Sequence, residues 1–330
     1  MKQNNSFTFQ DDDFILAPKE SRETLQLPKR EKSSWKLFMK NFLSNKGASI
    51  SFFTISIIIL YAFLAPVLSP YTLNGVNASE TNLSPRIPFL ENIGIFNGYT
   101  DEVSTNYHYF GTDNLGRDIW TRVALGTRLS LYISAIAMII DLGIGLIYGL
   151  VSGYVGGKVD IVMQRFTEVM STIPTMIVVT LLLVVLKPGM GSIVVAMILT
   201  GWINMSRIIR AQVLKLKEQE FVLAAKTIGV SNSTIIFREI LPNTIGQIIV
   251  TFMFSIPTAI FLEAFLAFIG LGIPAPLASL GSMINDGYKS ALIFPHMILF
   301  PVTVLGLLML CFNILADGLR DILDPQLKER

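Results

Sequence analysis

Six stretches of this chain run for about the ~20 residues that a helix needs to cross a bilayer core, with at most one charged side chain in each. They are 48–68, 129–153, 169–186, 189–206, 245–270 and 292–316; Asp141 interrupts the second and Glu263 the fifth, and the third extends to 162–186 as a span. In lipid every backbone polar group must be satisfied within the segment, so runs of this length are read as helices. The fold class that follows is all-α: a polytopic membrane protein with six transmembrane helices. The third and fourth spans are separated by "KPGMG", a turn composition that makes them a tight hairpin.

Composition agrees, with 52% hydrophobic and only 15% charged residues and a mean hydropathy of +0.56. The net charge of +2 is too small to point to nucleic acid. Residues 1–47 are polar and have no apolar run near Met1, which reads as a retained tail rather than a signal peptide; Phe7, Phe9, Phe14 and Ile15 are its candidate anchors. The single cysteine, Cys311, lies in an apolar run and reads as a packed residue.

Lys and Arg distribute unevenly. With residues 1–47 inside, 20 of the 26 fall in inner segments. Both 1–47 and 317–330 are then expected in the cytoplasm together with 207–243, whereas 71–127 and 271–290 face outward as extracellular loops. None of these segments is long enough for an independent enzymatic domain.

A solute-moving protein needs an energy source, and this chain offers none of its own. "SGYVGGKVD" at 152–160 has a Gly-Lys pair, but Ser152 replaces the first glycine of a phosphate loop and Val159 stands where a magnesium-binding hydroxyl belongs. His108, His296 and Cys311 lie too far apart in sequence for metal-ligand spacing, and no G-x-S-x-G elbow occurs. No catalytic residue, metal ligand or bound cofactor is therefore assigned.

Within the spans, Ala137, Asp141, Gly145, Gly149 and Gly153 recur every four residues, a small-residue face that admits a neighbouring helix backbone. Asp141 shares that face; Glu263 has Ala259 and Ala267 one turn to either side. Both carboxylates read either as part of a solute path or gate, or as buried packing residues.

The stretch 220–244 is different in kind. Phe221, Ala224, Ala225 and Ile228 form one apolar stripe, Gly229 is placed as a C-cap, Ser231 or Ser233 as the next N-cap, and Pro242 is expected to limit the second helix. Such a pair either lies on the membrane surface or docks on a partner.

"AAKTIGVSNSTIIFREILPN" resembles the coupling-loop motif of ABC-importer permeases. In order, "FGTDNLGRDIWTRVALGTRLSL", "GWINMSRIIRAQVLKLKEQEFVLAAKTIG", "EAFLAFIGLGIPAPLASLGSMINDG" and "FNILADGLRDILDPQLK" resemble the signature blocks of the C-type permease of bacterial oligopeptide and dipeptide ABC importers, from about residue 35 onward. The resemblance implies a type I importer permease fold in the bacterial cell membrane, forming half of a pathway for oligopeptides. It also implies a homologous B-type permease as partner, two cytoplasmic ATPases that bind ATP and magnesium, and an extracellular binding protein. Glu220, Phe221, Ala224, Ala225, Gly229, Leu241 and Pro242 fall on the ATPase-coupling loop; Glu239 departs from the histidine common in relatives. Gly111, Asp113, Gly116, Arg117 and Asp118 fall on the outer-loop signature, either a structural bracket or a gate and docking element, with Asp118 and Arg122 expected as an i,i+4 pair. Dipeptides or nickel are alternative cargoes, and a proton-coupled transporter or channel using Asp141 and Glu263 is the alternative of another class.

Overall fold

The computed structural model describes residues 34–72, 75–89, 93, 106–274 and 276–323; the aromatic anchors expected before residue 16 lie outside them. Contacts divide the chain after Asn41. Of the first unit, residues 34–41 are described and are helical, the opening of α1 (Ser34–Ser44). All that follows concerns Phe42–Arg330.

Helices dominate, and among the described residues there is no sheet, only an isolated bridge between Thr112 and Asp118. The order is α2 (Lys46–Leu68), α3 (Ile119–Val155), α4 (Gly157–Thr172), α5 (Thr175–Leu186), α6 (Met190–Leu216), α7 (Glu220–Thr227), α8 (Asn232–Phe268), α9 (Leu280–Ser290) and α10 (His296–Leu323). Five of these, α2, α3, α6, α8 and α10, are each long and apolar enough to cross a membrane. The chain is a multi-pass membrane protein.

The expected third span is not one straight helix. It breaks into α4 and α5, which meet at 74°. Pro174 has no N–H and disfavours the helical region for the residue before it, so Ile173 turns extended at φ −81°, ψ 121°.

Several other boundaries move outward, although the last helix starts at His296 rather than 292. α3 starts at Ile119 instead of 129, because Asp118 caps it with its side chain on the Thr121 N–H at 2.8 Å. α6 continues to Leu216, so 207–216 is helix rather than loop, and α10 runs through 317–323 instead of ending at 316. Charged residues are tolerated there because α6 and α10, at 27 and 28 residues, are about 40 Å long and project beyond a ~30 Å hydrocarbon layer.

Pro242 does not limit a second helix either. Asn232–Phe268 is continuous through it, by way of a π-helical turn over Ile235–Ile240 in which the Leu241 N–H reaches back to the Ile236 carbonyl. The wider turn accommodates a residue that has no donor to give.

The small-residue face works as expected. A Cβ at Gly145 would lie 2.8 Å from Met205 Cβ, one at Gly149 2.6 Å from the Ser206 carbonyl oxygen, and one at Gly153 2.8 Å from Val213 Cβ. α3 and α6 therefore pack backbone to backbone. At the other helix pair, a Cβ on Gly318 of α10 would meet Ala48 Cβ at 2.5 Å, so the start of α2 and the end of α10 share one end of the bundle.

Candidate functional site

At that end of α3 and α6, the sequence between α6 and α8 folds into a short elbow. α7 ends in a Schellman turn: the Gly229 N–H donates to the Lys226 carbonyl at 3.0 Å and the Val230 N–H to the Ala225 carbonyl at 3.0 Å, with Gly229 at φ +80°. Ser231 then caps α8, accepting from the Thr234 N–H at 3.3 Å. The elbow is anchored from below by Val222, fully buried in a cluster with Leu150, Ile209, Val213, Ile235 and Ile240. Full burial of a valine contributes about 1.5 kcal/mol or more. Tyr154, at the end of α3, adds a hydroxyl bond to Asn232 Oδ1 at 2.8 Å, and Lys226 Nζ lies over its ring at 5.4 Å.

Periodicity points to Phe221, Ala224, Ala225 and Ile228 as the apolar stripe, and it is this stripe that is left outside. Phe221 is 40% and Ile228 79% exposed, Glu220 and Ala224 are exposed, and Phe237 of α8 stands beside the turn at 64%. Ala225 and Leu241 pack at the margin of the buried cluster, and Pro242 is exposed. Val222 is the anchor that the sequence reading missed, because one buried residue on an eight-residue helix has no period to reveal it.

Inside the bundle, Asp141 and Glu263 both point into protein, at 4% and 0% exposure. They belong to different surroundings. Glu263 of α8 accepts from the Ser130 hydroxyl at 3.2 Å through Oε2, while Oε1 is buried without a hydrogen-bond partner. Asp141 opens a π-helical turn, Asp141–Leu146, in the middle of α3. It lines a cavity of about 250 Å³ with Thr175, Thr200, Asn204, Ser255 and Thr258.

At the far end of α3, the block from Gly111 to Asp118 is a turn tightened by Asp113. Its Oδ1 accepts from the Leu115 and Arg117 N–H groups at 2.9 and 3.0 Å, and its Oδ2 from Arg117 Nε at 2.7 Å. Gly111 and Gly116 have φ +78° and +69°, and a Cβ at Gly116 would lie 1.9 Å from the Asn77 carbonyl oxygen. The expected Asp118–Arg122 pair does not form. A capping side chain folds over the first-turn N–H groups, so Asp118 faces Thr121 and accepts from His108 Nδ1 at 2.9 Å, and Arg122 lies 3.5 Å from Asp113 instead. The fully buried His108 also stands 3.5 Å from Glu80, whose carboxylate takes amide donors from Asn77 and Asn106 at 2.7 and 2.8 Å. Thr112 completes the bracket by accepting from the Leu83 N–H at 2.8 Å.

The helical bundle and its elbow match known proteins. The family model described as "Binding-protein-dependent transport system inner membrane component" matches residues 145–329, and "N-terminal TM domain of oligopeptide transport permease C" matches residues 33–85. The oligopeptide transport system permease protein OppC of Bacillus subtilis (strain 168) is 43% identical over 92% of this chain and 93% of its own length. The dipeptide transport system permease protein DppC of the same organism is 41% identical over 96% and 94%, and OppC of Escherichia coli (strain K12) 36% identical over 94% and 99%. A solved structure of the MetNI methionine ABC transporter in inward facing conformations superposes with a TM-score of 0.51 at 15% identity, covering 61% of this chain and 96% of the other, a likeness of fold. The chain thus belongs to the family of binding-protein-dependent transport system inner membrane components and is a transmembrane permease subunit with the ABC-importer fold.

Proposed function

We propose that this chain forms half of the translocation pathway of an ATP-driven oligopeptide importer in a bacterial cell membrane, with its termini and elbow in the cytoplasm. The observation that carries the coupling role is the division of labour on α7. Val222 pins one side of the helix into the bundle, and Phe221, Ala224 and Ile228 face out beside Phe237. A helix held rigidly from below with an unused apolar face can transmit force from a docked subunit.

In this reading Glu220, Phe221, Ala224, Ala225, Gly229, Leu241 and Pro242 belong to the loop that seats one of two partner ATPases, which hold the ATP and magnesium; this chain catalyses nothing itself. A homologous permease supplies the other half of the pathway, and a binding protein delivers peptide to the outer face, where the Gly111–Asp118 bracket stands. The excess of Lys and Arg at the proposed inner face supports the orientation. Oligopeptides are preferred as cargo on the 43% relative; the 41% relative makes dipeptides the second reading.

The test is co-purification of the complex and peptide-stimulated ATP hydrolysis in liposomes, compared with Gly229→Pro and Gly229→Asn. Proline cannot take φ +80°, whereas asparagine tolerates it. Stimulation is expected to be lost in the first variant and largely kept in the second. Equal stimulation in wild type and Gly229→Pro would remove the coupling role.

A further inference from the structure

The cavity beside Asp141 asks for a ligand of definite charge. Asp141 lies near the midpoint of a membrane-crossing helix, 4% exposed, with Ser255 on the same cavity wall, but no cation among the described residues stands against it. A carboxylate taken out of water with no counter-charge is costly to keep, and such residues in spans face protein or a watery path and mark function. Here the cost is not avoided by burial in a dry core: the carboxylate borders a cavity of about 250 Å³.

The rest of the lining is uncharged, apolar where Ile140, Met197, Phe254 and Leu262 face it and polar at five residues. Thr200 and Asn204 come from α6, Ser255 and Thr258 from α8, and Thr175 stands at the start of α5, immediately after the Pro174 break. Oxygen acceptors thus converge from several elements around one negative group. Two backbone irregularities meet at this place, the bend between α4 and α5 and the π-helical turn that begins at Asp141 itself. π-turns inside helices occur frequently at functional sites, because the extra residue re-aims a side chain.

From this we infer that the Asp141 cavity is an ammonium subsite, in which a transported peptide's alkylammonium group pairs with Asp141 and donates to the surrounding hydroxyl and amide oxygens. The inference rests on the peptide reading above and deepens it. A carboxylate end of the cargo is repelled by the same charge. A divalent metal is disfavoured, since among the described residues no three His, Cys, Asp or Glu side chains gather to hold one. The ammonium can come from a free N-terminus or from a lysine side chain, and the chemistry is common to both.

Thr258 is exposed on the cavity wall and the native Cys311 is buried, so Thr258→Cys provides a reporter. In the complete transporter in nanodiscs, the rate at which a neutral maleimide labels this chain is followed with trialanine, acetyl-Ala-Lys-Ala or acetyl-trialanine present. Trialanine, acetyl-Ala-Lys-Ala or both are expected to protect, and acetyl-trialanine is not; which of the two protects identifies the ammonium's source. Adding Asp141→Asn, of nearly the same volume, should weaken protection by about thirtyfold or more in apparent affinity, the loss expected when one partner of a desolvated charge pair is removed. Asp141→Glu should retain it. Equal protection by acetyl-trialanine, protection that survives Asp141→Asn, no protection at all, or protection by sodium ion alone would each overturn the assignment. ATP-dependent uptake of trialanine by the wild-type complex is measured in parallel. Its absence would overturn the importer reading, while labelling still reports on the subsite.

Discussion

Arg210 of α6 holds Asp160 of α4 through two bonds of 2.6 Å, from Nε to Oδ1 and from Nη2 to Oδ2. The pair is partly buried, and Ser152 adds a hydroxyl donor to the same carboxylate while Gln164 donates to Ser152 at 3.0 Å. Bidentate guanidinium–carboxylate pairs fix angle as well as distance. This one ties the helix that leads into the elbow to the first half of the bent span.

Asp160→Asn and Arg210→Gln are each expected to cost about 1–2 kcal/mol, more than an exposed pair and less than a fully buried one. The exchanged double variant, Asp160→Arg with Arg210→Asp, should recover part of the loss. Thermal unfolding of the purified chain in detergent measures both. Additive losses in the exchanged variant would show that the pair is not a unit.

Gly149 and Gly143 make a matched comparison on α3. A Cβ at Gly149 meets the Ser206 carbonyl oxygen at 2.6 Å, whereas nothing lies within 4 Å of one at Gly143. Gly149→Ala should destabilise by about 1–3 kcal/mol through forced separation of α3 from α6, and Gly143→Ala should be neutral or slightly stabilising. Unfolding midpoints of the two variants decide.

Arg128 replaces a missing helix donor. Pro66 in α2 cannot bond the Ala62 carbonyl, and Arg128 Nε and Nη2 donate to that oxygen at 3.2 and 3.1 Å, with Nη2 also 3.3 Å from the Phe63 carbonyl. Arg128→Leu should cost about 1–3 kcal/mol by leaving the Ala62 carbonyl unpaired. In a Pro66→Ala background the restored N–H should shrink that cost, a coupling that a double-mutant cycle reads directly.

The Tyr71 phenol, stacked on His108 with ring centroids 4.3 Å apart, is pushed up to about 12, first by burial and then by the Asp118 and Glu80 carboxylates. A raised phenol pKa leaves the ring's contribution to stability intact below its ordinary value of about 10, and that contribution is lost as the pH climbs through the folded value. In an alkaline absorbance titration, the component missing from Tyr71→Phe should have its midpoint near pH 12. Asp118→Asn should lower that midpoint without returning it to the ordinary value, since burial remains.

The apolar runs were legible one residue at a time, because a span is a local property: about 20 residues must satisfy their own backbone, whatever surrounds them. The same holds for the Gly229 cap and for the four-residue repeat of Gly145, Gly149 and Gly153, where a single backbone angle or a single helical face carries the signal. The Pro174 break was legible in principle, since proline and the extended residue before it are local too, but the apolar run around it hid the break.

Partnerships were not legible. Asp118 and Arg122 have the spacing of an ion pair, yet one is drawn to His108 and the helix start and the other to Asp113, because the choice among nearby opposite charges is made by which side chains the loop brings within reach. Val222, and not the periodic stripe beside it, anchors the elbow for the same reason. The sequence alone determined the membrane class, the number of crossings to within one bent pair, and the elbow's place in the chain, all of which depend on local hydropathy and backbone chemistry. Only the tertiary structure decided which carboxylate faces a cavity and which faces a serine in the packed interior, because a side chain's solvent, neighbours and charge partners are supplied by helices far away in sequence.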